Sequence, residues 1–586
     1  MVIRPAIVTV TASARPLAER LARELAGDIL QGAEHFAEAF AAGWPVVALC
    51  AAGIVVRKLA PHLGDKRDEP PVIAVAEDGS SVVPLLGGHR GANDLARRIA
   101  AITGGVAAIT TASDVRFGVA LDRPPAGYAL ANPDDHKTFA ADLLAGASVR
   151  VKGEAPWLAA LPLSHEGRLS ILVTEHKVPG GPRALVYNPR TLALGVGCER
   201  GTSADELIGL VERVLDEEGL ARAAVAGVFS LDLKADEAAI HALGRHLGVP
   251  VRFFDAQRLD AESPRLKNPS PVVKAEVGCP GVAEGAALAA AGPAADLIVE
   301  KTKSARATCA IARADHPITE LSGRARGSVT VVGLGPGGPE WRSPEAAEAL
   351  RAATDWVGYG LYLDLAADLR TAQVEHRFPL GAEEDRVIRA LTIAGEGRDV
   401  ALVCSGDSQI YAMAALAAEV LDPASGASLP DAARRAELKV VPGISAFQAA
   451  SAKAGALIGH DFCCISLSDL LTPWEVIEQR LKAAADGDFV VAFYNPRSLK
   501  RTDQLARAIR LLKPRRRADT PVIVASNVGR PDERIAITTI QDFDPETVDM
   551  LTIVLVGSSI SRTFSRGDGR TVAYTPRGYA KKRETR

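Results

Sequence analysis

Short apolar runs rich in β-branched residues alternate with amphipathic segments rich in Ala, Leu and Arg along nearly the whole chain. The clearest runs are Pro45–Cys50, Ser170–His176, Ala223–Ser230, Asp399–Cys404 and Asp488–Tyr494. Each has the length of a buried strand, and a helical pattern follows it. This alternation predicts an α/β protein with several mixed or mostly parallel sheets that carry helices on both faces.

The chain has 586 residues, which exceeds the roughly 100–200 residues of a typical domain. The alternation stops at Ala312–Gly327, a polar stretch that contains Pro317 and Gly323 and few residues suited to a core. We interpret residues 314–327 as a linker, so that two proteins' worth of chain are joined in one polypeptide.

Composition excludes several classes of function. The formal net charge of −3 argues against nucleic acid as a partner. No apolar run approaches the roughly 18 residues of a membrane span, and the first residues lack the layout of a signal peptide. None of the seven cysteines forms a CxxC or zinc-type cluster, so we expect no metal site and a reduced, cytoplasmic protein. The oligomeric state stays open, with a homodimer among the alternatives.

An apolar run meets the glycine-rich turn GLGPGG within Val329–Gly338. Glycines let the backbone approach a ligand closely, and Ser343 followed by Pro344 predicts the start of the next helix. A tight strand-to-helix turn without a ligand explains the same residues. A dinucleotide fingerprint would place an acidic residue at the end of the second strand, whereas Asp355 precedes that strand.

Four more predicted strands in the same half end in polar or glycine-containing segments: CSGDSQIYAM, VVPGISAFQAASA, FYNPRS and VIVASNVGR. Ligands of open α/β sheets bind beyond the carboxyl ends of the strands. A capped turn explains each segment alone. Five such strand ends in one half favour a shared binding site over five unrelated turns.

In chain order, GLGPGG, SGD, PGISA, FYN and SNVG resemble the tetrapyrrole methyltransferases, which use S-adenosylmethionine. Further segments, among them WVGYGLYLD, FPLGAEEDRVIRA and DLLTPWEVIEQRL, are most similar to the precorrin-3B C(17)-methyltransferases of cobalamin biosynthesis. The resemblance implies a two-domain fold for residues 328–586, with the cofactor in the cleft between the domains. It implies cofactor contacts at Pro336, Ser405, Gly406, Asp407, Ile410, Ser445, Ala446, Asn495 and Val528.

The chemistry of methyl transfer suits these residue types. S-adenosylmethionine carries its own leaving group, so the protein must orient the reactants more than supply a nucleophile. Asp407 is expected to bond to a polar group of the cofactor. The family's turn is usually GxGPGD, and Gly338 stands at its acidic position, which leaves the role of that carboxylate open.

The substrate implied by the resemblance is a precorrin, whose acetate and propionate groups favour arginine and lysine. Arg497, Lys500 and Arg530 are the candidate substrate-binding residues, although each also fits a solvated surface charge. The basic run Lys513–Arg517 is interpreted as a solvated loop. By resemblance, methylation accompanies ring contraction, which needs a base that the sequence does not identify.

Two polar loops follow predicted strands in the N-terminal half: GGHRGAN and LGVGCERGT. His89, in the first loop, is the candidate catalytic residue, because histidine titrates near neutral pH. A loop histidine bonded to the backbone is the alternative. Glu199 and Arg200, in the second loop, either contact a ligand or pair with each other at the surface.

These loops, with the closing segment KTKSARATCAIAR, resemble the cobalt-precorrin-5A hydrolase family over residues 2–313. Members of that family open a lactone on the contracted macrocycle and release acetaldehyde. The resemblance implies an N-terminal domain over residues 1–130, a middle domain over 131–185 and a third domain over 186–313.

The sequence therefore predicts an enzyme of cobalamin biosynthesis in which a methyltransferase is fused to a hydrolase-like region. The alternative makes the N-terminal half a non-catalytic module that binds or hands over a tetrapyrrole. Nicotinamide-dependent oxidoreduction is disfavoured by the position of Asp355.

Overall fold

The computed structural model describes residues 4–65, 68–111, 116–498 and 501–579, without the side chain of His89. The chain divides into two compact units, which we call unit 1 (Met1–Gly323) and unit 2 (Arg324–Arg586). Among the described residues, no helix combines the length and the apolar character needed to span a bilayer.

Unit 1 begins with a six-stranded sheet of order β2-β1-β3-β4-β5-β6, in which only β4 and β5 run antiparallel. Its strands are β1 (Ala6–Thr9), β2 (Asp28–Gln31), β3 (Val46–Leu49), β4 (Val72–Val75), β5 (Ser81–Leu86) and β6 (Val106–Ala107). Its helices are Arg15–Leu25, His35–Ala41, Ala52–Leu59 and Ala92–Thr103. The central strands are buried along their length, as their continuous apolar sequences require.

A smaller sheet of order β7-β10-β9-β8 follows. Its strands are β7 (Tyr128–Leu130), β8 (Val149–Lys152), β9 (Leu169–Val173) and β10 (Ala184–Pro189), with the helix His136–Leu144. The fully buried Tyr187 donates its hydroxyl to the carbonyl oxygen of Leu121 at 2.6 Å. The sheet thus spans residues 128–189, a few residues beyond the predicted middle domain at both ends.

The third sheet of unit 1 has the order β13-β12-β11-β15-β14. Its strands are β11 (Leu192–Cys198), β12 (Val225–Leu231), β13 (Val251–Phe254), β14 (Asp296–Lys303) and β15 (Ala307–Arg313). Its helices are Ala204–Glu217, Ala238–Leu247, Ala256–Asp260, Pro271–Val277 and Val282–Ala291. The last of these lies directly on β11, because a Cβ on Gly195 would fall 2.0 Å from the carbonyl oxygen of Ala283.

Unit 2 begins with a fully parallel sheet of order β18-β17-β19-β16-β20. Its strands are β16 (Ser328–Gly333), β17 (Asp355–Tyr359), β18 (Val374–Phe378), β19 (Asp399–Cys404) and β20 (Glu437–Val441). Its helices are Pro344–Ala352, Gly360–Leu365, Glu383–Gly395, Met413–Leu421 and Asp431–Arg434. Ser343 caps the first of them, since its hydroxyl accepts the amide of Ala346 at 3.1 Å.

A second, mixed sheet of order β22-β23-β26-β24-β25 completes unit 2, with a small sheet of order β21-β28-β27. The strands are β21 (Gly455–Ala456), β22 (Phe462–Ser466), β23 (Val490–Tyr494), β24 (Pro521–Ser526), β25 (Arg534–Thr539), β26 (Thr552–Val556), β27 (Arg562–Ser565) and β28 (Thr571–Tyr574). The helices are Ala446–Ala454, Trp474–Asp486 and Gln504–Leu512. The predicted α/β class with mixed and mostly parallel sheets is confirmed.

The stretch that was predicted as a linker is divided between the two units. Ile318 donates its amide to Arg190 in unit 1 at 2.9 Å. On the other side of Gly323, Arg326 donates to the carbonyl oxygen of Arg435 in unit 2 at 2.8 Å. Gly327 accepts the amide of Glu437 at 2.9 Å. Residues 324–327 therefore belong to the packing of unit 2.

The interpretation of Lys513–Arg517 as a wholly solvated loop is wrong for one residue. The side chain of Arg516 is fully buried and ion-pairs with Asp488 at 2.7 Å. It also donates to the carbonyl oxygens of Phe489 at 2.8 Å and Gly557 at 2.9 Å. A buried guanidinium is tolerated because its donors are satisfied by fixed acceptors.

Candidate functional site

Three turns that follow β16, β19 and β24 are joined by backbone hydrogen bonds. Gly335 and Gly406 exchange a pair of bonds of 3.1 and 2.7 Å, and Gly338 donates to the carbonyl oxygen of Gly529 at 2.8 Å. A Cβ on Gly337 would fall 1.9 Å from that same oxygen. The close contact between the turns therefore requires glycine at this position.

Asp407 links the turn after β19 to the turn after β20. Its Oδ1 accepts the amides of Gln409 at 2.8 Å and Ile410 at 3.1 Å. Its Oδ2 accepts the amide of Gly443 at 3.0 Å. Three of the roughly four lone-pair sites of the carboxylate are thus occupied by backbone, so this residue shapes the site through the turns it holds.

A cavity of about 350 Å³ opens in unit 2 at the ends of these strands, and we call it the strand-end cavity. Eight of the nine predicted cofactor residues line it: Pro336, Ser405, Gly406, Asp407, Ile410, Ala446, Asn495 and Val528. The ninth, Ser445, does not line it but precedes the helix that Ala446 begins, and it is 1% exposed. The parallel sheet and the mixed sheet both contribute strand ends to this cavity.

Three lining residues have a left-handed backbone that non-glycine residues rarely adopt: Tyr411 (φ 51°), Asn495 (φ 48°) and Asn527 (φ 50°). Asparagine tolerates this conformation, but a bulky tyrosine does so at a cost. The hydroxyl of Tyr411 donates to the carbonyl oxygen of Cys464 at 2.9 Å and accepts the amide of Ser466 at 3.2 Å. Strained residues held in this way are typical of binding sites.

Burial raises the pKa of a cysteine and of two tyrosines in the cavity wall. Burial raises the pKa of the Cys404 thiol to about 12. Burial also raises the pKa of the Tyr494 hydroxyl, and the neighbouring Cys464 adds to the shift. For Tyr362, burial raises the pKa most strongly, and the positive charge of Arg530 opposes the shift.

The candidate substrate-binding residues are not all brought to the cavity. Arg530 lines it and donates to the carbonyl oxygen of Pro336 at 3.2 Å and to the hydroxyl of Ser405 at 3.3 Å. Arg497 does not line it and pairs with Glu546 at 2.7 Å. Lys500 lies outside the described residues.

Sequence reasoning missed the lining residues that lie between the motifs. Tyr362 comes from the helix after β17, and Glu383 and Arg386 come from the helix Glu383–Gly395. Met550 and Leu551 precede β26. The signal lay in WVGYGLYLD and FPLGAEEDRVIRA, two segments that carried the family resemblance but from which no residue was assigned.

Gly338 stands at the position where the family usually has an acidic residue. The carboxylate of Glu340 lies beside it. A Cβ on Gly338 would fall 2.5 Å from Oε2 of Glu340. Asp355 is fully buried at the first position of β17, where it pairs with His376 at 2.9 Å and Arg398 at 2.7 Å. It therefore lies at the opposite end of its strand from a dinucleotide-type acidic residue.

In unit 1, the backbone of His89 lies in the short turn Gly88–Arg90 after β5, and its side chain is outside the described residues. Glu199 pairs with Arg306 at 3.0 Å. Arg200 pairs with the buried Glu237 at 3.0 Å. The expected alternative of a pair between Glu199 and Arg200 is therefore wrong. Among the described residues, no cluster of His, Cys, Asp and Glu could hold a metal ion.

The two units match different families of known proteins. Residues 328–544 match the family model of tetrapyrrole (corrin/porphyrin) methylases. Precorrin-3B C(17)-methyltransferase of Sinorhizobium sp. is 43% identical over 254 residues, which are 43% of this chain and 98% of that protein. The chain belongs to the tetrapyrrole methylase family. The probable cobalt-factor III C(17)-methyltransferase of Salmonella typhimurium is 43% identical over 43% of this chain and 99% of its own length.

Unit 1 matches two other models, cobalamin synthesis G N-terminal over residues 34–114 and cobalamin synthesis G C-terminus over residues 192–312. A solved structure of CobE, a protein from the cobalamin biosynthetic pathway, is 42% identical over 21% of this chain and 89% of its own, with a TM-score of 0.20. The three family models and the two C(17)-methyltransferase relatives confirm the predicted fusion, in which a cobalamin synthesis G-like region is joined to a tetrapyrrole methyltransferase.

Proposed function

We propose that unit 2 transfers a methyl group from S-adenosylmethionine to C-17 of a precorrin-3B-type tetrapyrrole, with contraction of the macrocycle, in cobalamin biosynthesis. The observation that carries this proposal is the convergence of eight family-motif residues on the strand-end cavity. Two C(17)-methyltransferases that are each 43% identical over nearly their whole length support the position of methylation.

The backbone of the cavity wall leaves room for S-adenosylmethionine to approach closely. Gly406 has a left-handed backbone (φ 71°), and a Cβ there would meet nothing within 4 Å, so a ligand can approach this turn closely. Ile410 and Val528 supply apolar contacts for an adenosyl group, and Pro336 lines the same cavity from the glycine-rich turn. When bound, the cofactor supplies an activated methyl group on a sulfonium ion.

Cys404 lines the same cavity without competing for the methyl group. The raised pKa of its thiol keeps it neutral at physiological pH, and a neutral thiol is a poor nucleophile. The tyrosine hydroxyls in the wall also have raised pKa values. The protein's own side chains in this wall therefore orient and exclude water, and the acceptor carbon of the substrate is the nucleophile.

The mouth of the cavity suits a large flat acceptor. Four of its lining residues are exposed and apolar: Leu380, Tyr411, Met550 and Leu551 are each 50–56% exposed. Apolar side chains grouped at the mouth of a cavity are characteristic of a binding surface. We place the macrocycle on this rim, with the carbon to be methylated turned toward the cofactor.

The test is an incubation of the full chain with methyl-labelled S-adenosylmethionine and, in parallel, precorrin-3B or cobalt-factor III. We expect one label per macrocycle, which mass spectrometry and NMR locate at C-17. The acceptor that reacts better shows whether the natural substrate contains cobalt. If neither acceptor is labelled by protein that binds S-adenosylhomocysteine, the acceptor class is wrong. If that ligand does not bind either, the methyltransferase proposal fails.

For unit 1 we propose tetrapyrrole binding through the loops formed by residues 87–93, after β5, and 199–202, after β11. The matches to both cobalamin synthesis G models support this, as does the position of each loop after a strand. Hydrolysis of a lactone and non-catalytic handover are the two alternatives. His89 is the better candidate to activate water, because histidine titrates near neutral pH whereas Arg200 stays protonated and pairs with Glu237.

Acetaldehyde release separates these alternatives. A hydrolase releases acetaldehyde from a lactone-bearing cobalt-precorrin-5A, and His89→Ala abolishes the release while binding survives. A handover module binds the tetrapyrrole and releases none. Neither binding nor release by the full chain would contradict both alternatives.

A further inference from the structure

The strand-end cavity is lined by a buried arginine from the segment FPLGAEEDRVIRA, to which the sequence analysis assigned no role. Arg386 lies in the first turns of the helix Glu383–Gly395, and only 3% of its side chain is exposed. Its Nη2 donates to the carbonyl oxygen of Pro379 at 3.3 Å. Its Nη1 approaches the sulfur of Met413 at 3.9 Å, which is a weak acceptor.

This guanidinium is poorly satisfied within the described part of the chain. Its Nε is shielded from solvent and has no hydrogen-bond partner there. The acidic oxygen recorded near it, Oε1 of Glu383, lies 3.8 Å from Nη2, beyond hydrogen-bond distance. A buried cation that is paired with a carboxylate only at this distance is incompletely compensated, so a second anion that enters from outside the chain would stabilise it.

Other buried arginines show what a satisfied site looks like. Arg516 combines an ion pair with Asp488 at 2.7 Å and bonds to several carbonyl oxygens. Arg342, which also has an unpartnered Nε, forms a fork with both oxygens of Asp368 at 3.0 Å. Arg386 has neither arrangement, and unlike these two it lines the cavity.

We propose that Arg386 is the carboxylate-binding group of the strand-end cavity and that its planar fork receives a carboxylate of the bound ligand. The inference rests on the proposed methyltransferase function, because it assigns the ligand to that reaction. A guanidinium presents parallel N–H donors that match the two oxygens of a carboxylate. The positive Arg530 in the same wall adds to the attraction for an anion.

Two ligands of the proposed reaction carry carboxylates. One is the methionine part of the cofactor, and the other is an acetate or propionate arm of the tetrapyrrole. Both would present the same group to Arg386. The experiment separates them with S-adenosylhomocysteine, which has the carboxylate, and 5′-methylthioadenosine, which keeps the adenosyl group and lacks the amino acid.

The full chain is prepared as wild type, Arg386→Gln, Arg386→Lys and Arg386→Met. Arg389→Gln is the matched control, since Arg389 lies one turn along the same helix and is exposed. Calorimetry measures both nucleosides, and methyl-transfer assays measure kcat and KM for the tetrapyrrole. Arg386→Met should fold with a Tm no lower than wild type, because it removes a buried charge that is only weakly paired.

If the cofactor supplies the carboxylate, Arg386→Gln weakens S-adenosylhomocysteine by about tenfold or more and leaves 5′-methylthioadenosine unchanged. If the substrate supplies it, both nucleosides bind as in wild type and KM for the tetrapyrrole rises by a similar factor. Either result supports the proposal.

If the wild type is active and the Arg386 variants match Arg389→Gln in every measurement, this inference is wrong and the proposed function stands. Loss of folding in all three Arg386 variants also overturns it, because Arg386 would then be a structural residue. A wild-type protein that binds neither nucleoside and methylates nothing overturns the proposed function, and this inference with it.

Discussion

At the scale of single residues, the acidic side chain of the candidate site acts through the backbone. The sequence predicted that Asp407 would contact the cofactor with its carboxylate. In the structure its oxygens accept the amides of Gln409, Ile410 and Gly443, and the cofactor contact stays a prediction. Hydrogen bonds to a charged acceptor contribute about 1.5–3 kcal/mol each before relaxation, so this one residue fixes the shape of two turns.

Asp407→Asn should therefore weaken cofactor binding and destabilise unit 2. The amide replaces one acceptor oxygen by a donor that faces a backbone N–H. We expect a loss of about 1–3 kcal/mol in the free energy of unfolding and a Kd for S-adenosylhomocysteine raised about tenfold. Calorimetry and urea unfolding measure the two effects. The control is Asp422→Asn, an exposed aspartate that accepts the amide of Ala424. Wild-type affinity in a folded Asp407→Asn protein would remove this role.

Cys404 should be chemically inert despite its place in the cavity wall. Because burial raises its pKa to about 12, the thiolate is roughly one part in 10⁴ at pH 8 and grows only as the pH approaches 12. Iodoacetamide labelling of the native protein, mapped by mass spectrometry between pH 7 and 9, should leave Cys404 unmodified. Cys404→Ala should keep methyl transfer within about threefold. Rapid labelling of this residue at pH 8 would contradict the assigned burial.

At the scale of elements, the contact between turns is what assembles the site. Gly337 can approach the turn after β24 only because it lacks a Cβ, which would fall 1.9 Å from the carbonyl oxygen of Gly529. That obstacle is a fixed backbone atom. At the neighbouring Gly338, a Cβ would meet the carboxylate of Glu340, the end of a flexible side chain.

Gly337→Ala should separate the two turns, whereas Gly338→Ala should be tolerated. For Gly337→Ala we expect a destabilisation of about 1–3 kcal/mol from overpacking and a marked loss of affinity for S-adenosylhomocysteine. For Gly338→Ala the Glu340 side chain moves aside, and both properties stay near wild type. Thermal unfolding measures the stability of the two variants, and calorimetry measures their affinity for S-adenosylhomocysteine. Equal behaviour of the two variants would show that the turns do not depend on this contact.

Sequence patterns predicted elements well and contacts between elements poorly. The strand Asp399–Cys404 and the helix start at Ser343 follow from local signals, namely an apolar run and a cap with proline after it. The burial of Arg386 and Arg516 does not follow from local signals, because a charged side chain in a helix or loop is expected to face solvent. Likewise, the partners of Glu199 and Arg200 lie far along the chain.

At the scale of the whole molecule, the boundary between the units follows hydrogen bonds and not composition. Arg324 donates to the carbonyl oxygen of Gly395, and Arg326 and Gly327 bond to Arg435 and Glu437. A fragment of residues 324–586 should therefore fold alone and methylate its substrate. A fragment that begins at Ser328 loses these contacts and should unfold at a lower temperature.

Circular dichroism melting of the two fragments tests this boundary, with the full chain alongside. Each lost hydrogen bond contributes about 0.5–1.5 kcal/mol, so a difference of several degrees in Tm is expected. Identical melting of the two fragments would place residues 324–327 outside the packing of unit 2. Aggregation of both fragments, with a soluble full chain, would contradict the independence of the units.

The proposed function requires the strand-end cavity of unit 2 to be the cofactor site of the methyltransferase. Calorimetry of the full chain with S-adenosylhomocysteine tests it most directly, on wild type, Gly406→Ala and Gly426→Ala. Both glycines have φ 71° and open space at the Cβ position, so the backbone strain is matched. Gly406 lines the cavity and Gly426 does not. We expect one ligand per chain in wild type and Gly426→Ala, and a Kd raised about tenfold or more in Gly406→Ala. No binding by wild type, or equal binding by both variants, would contradict it.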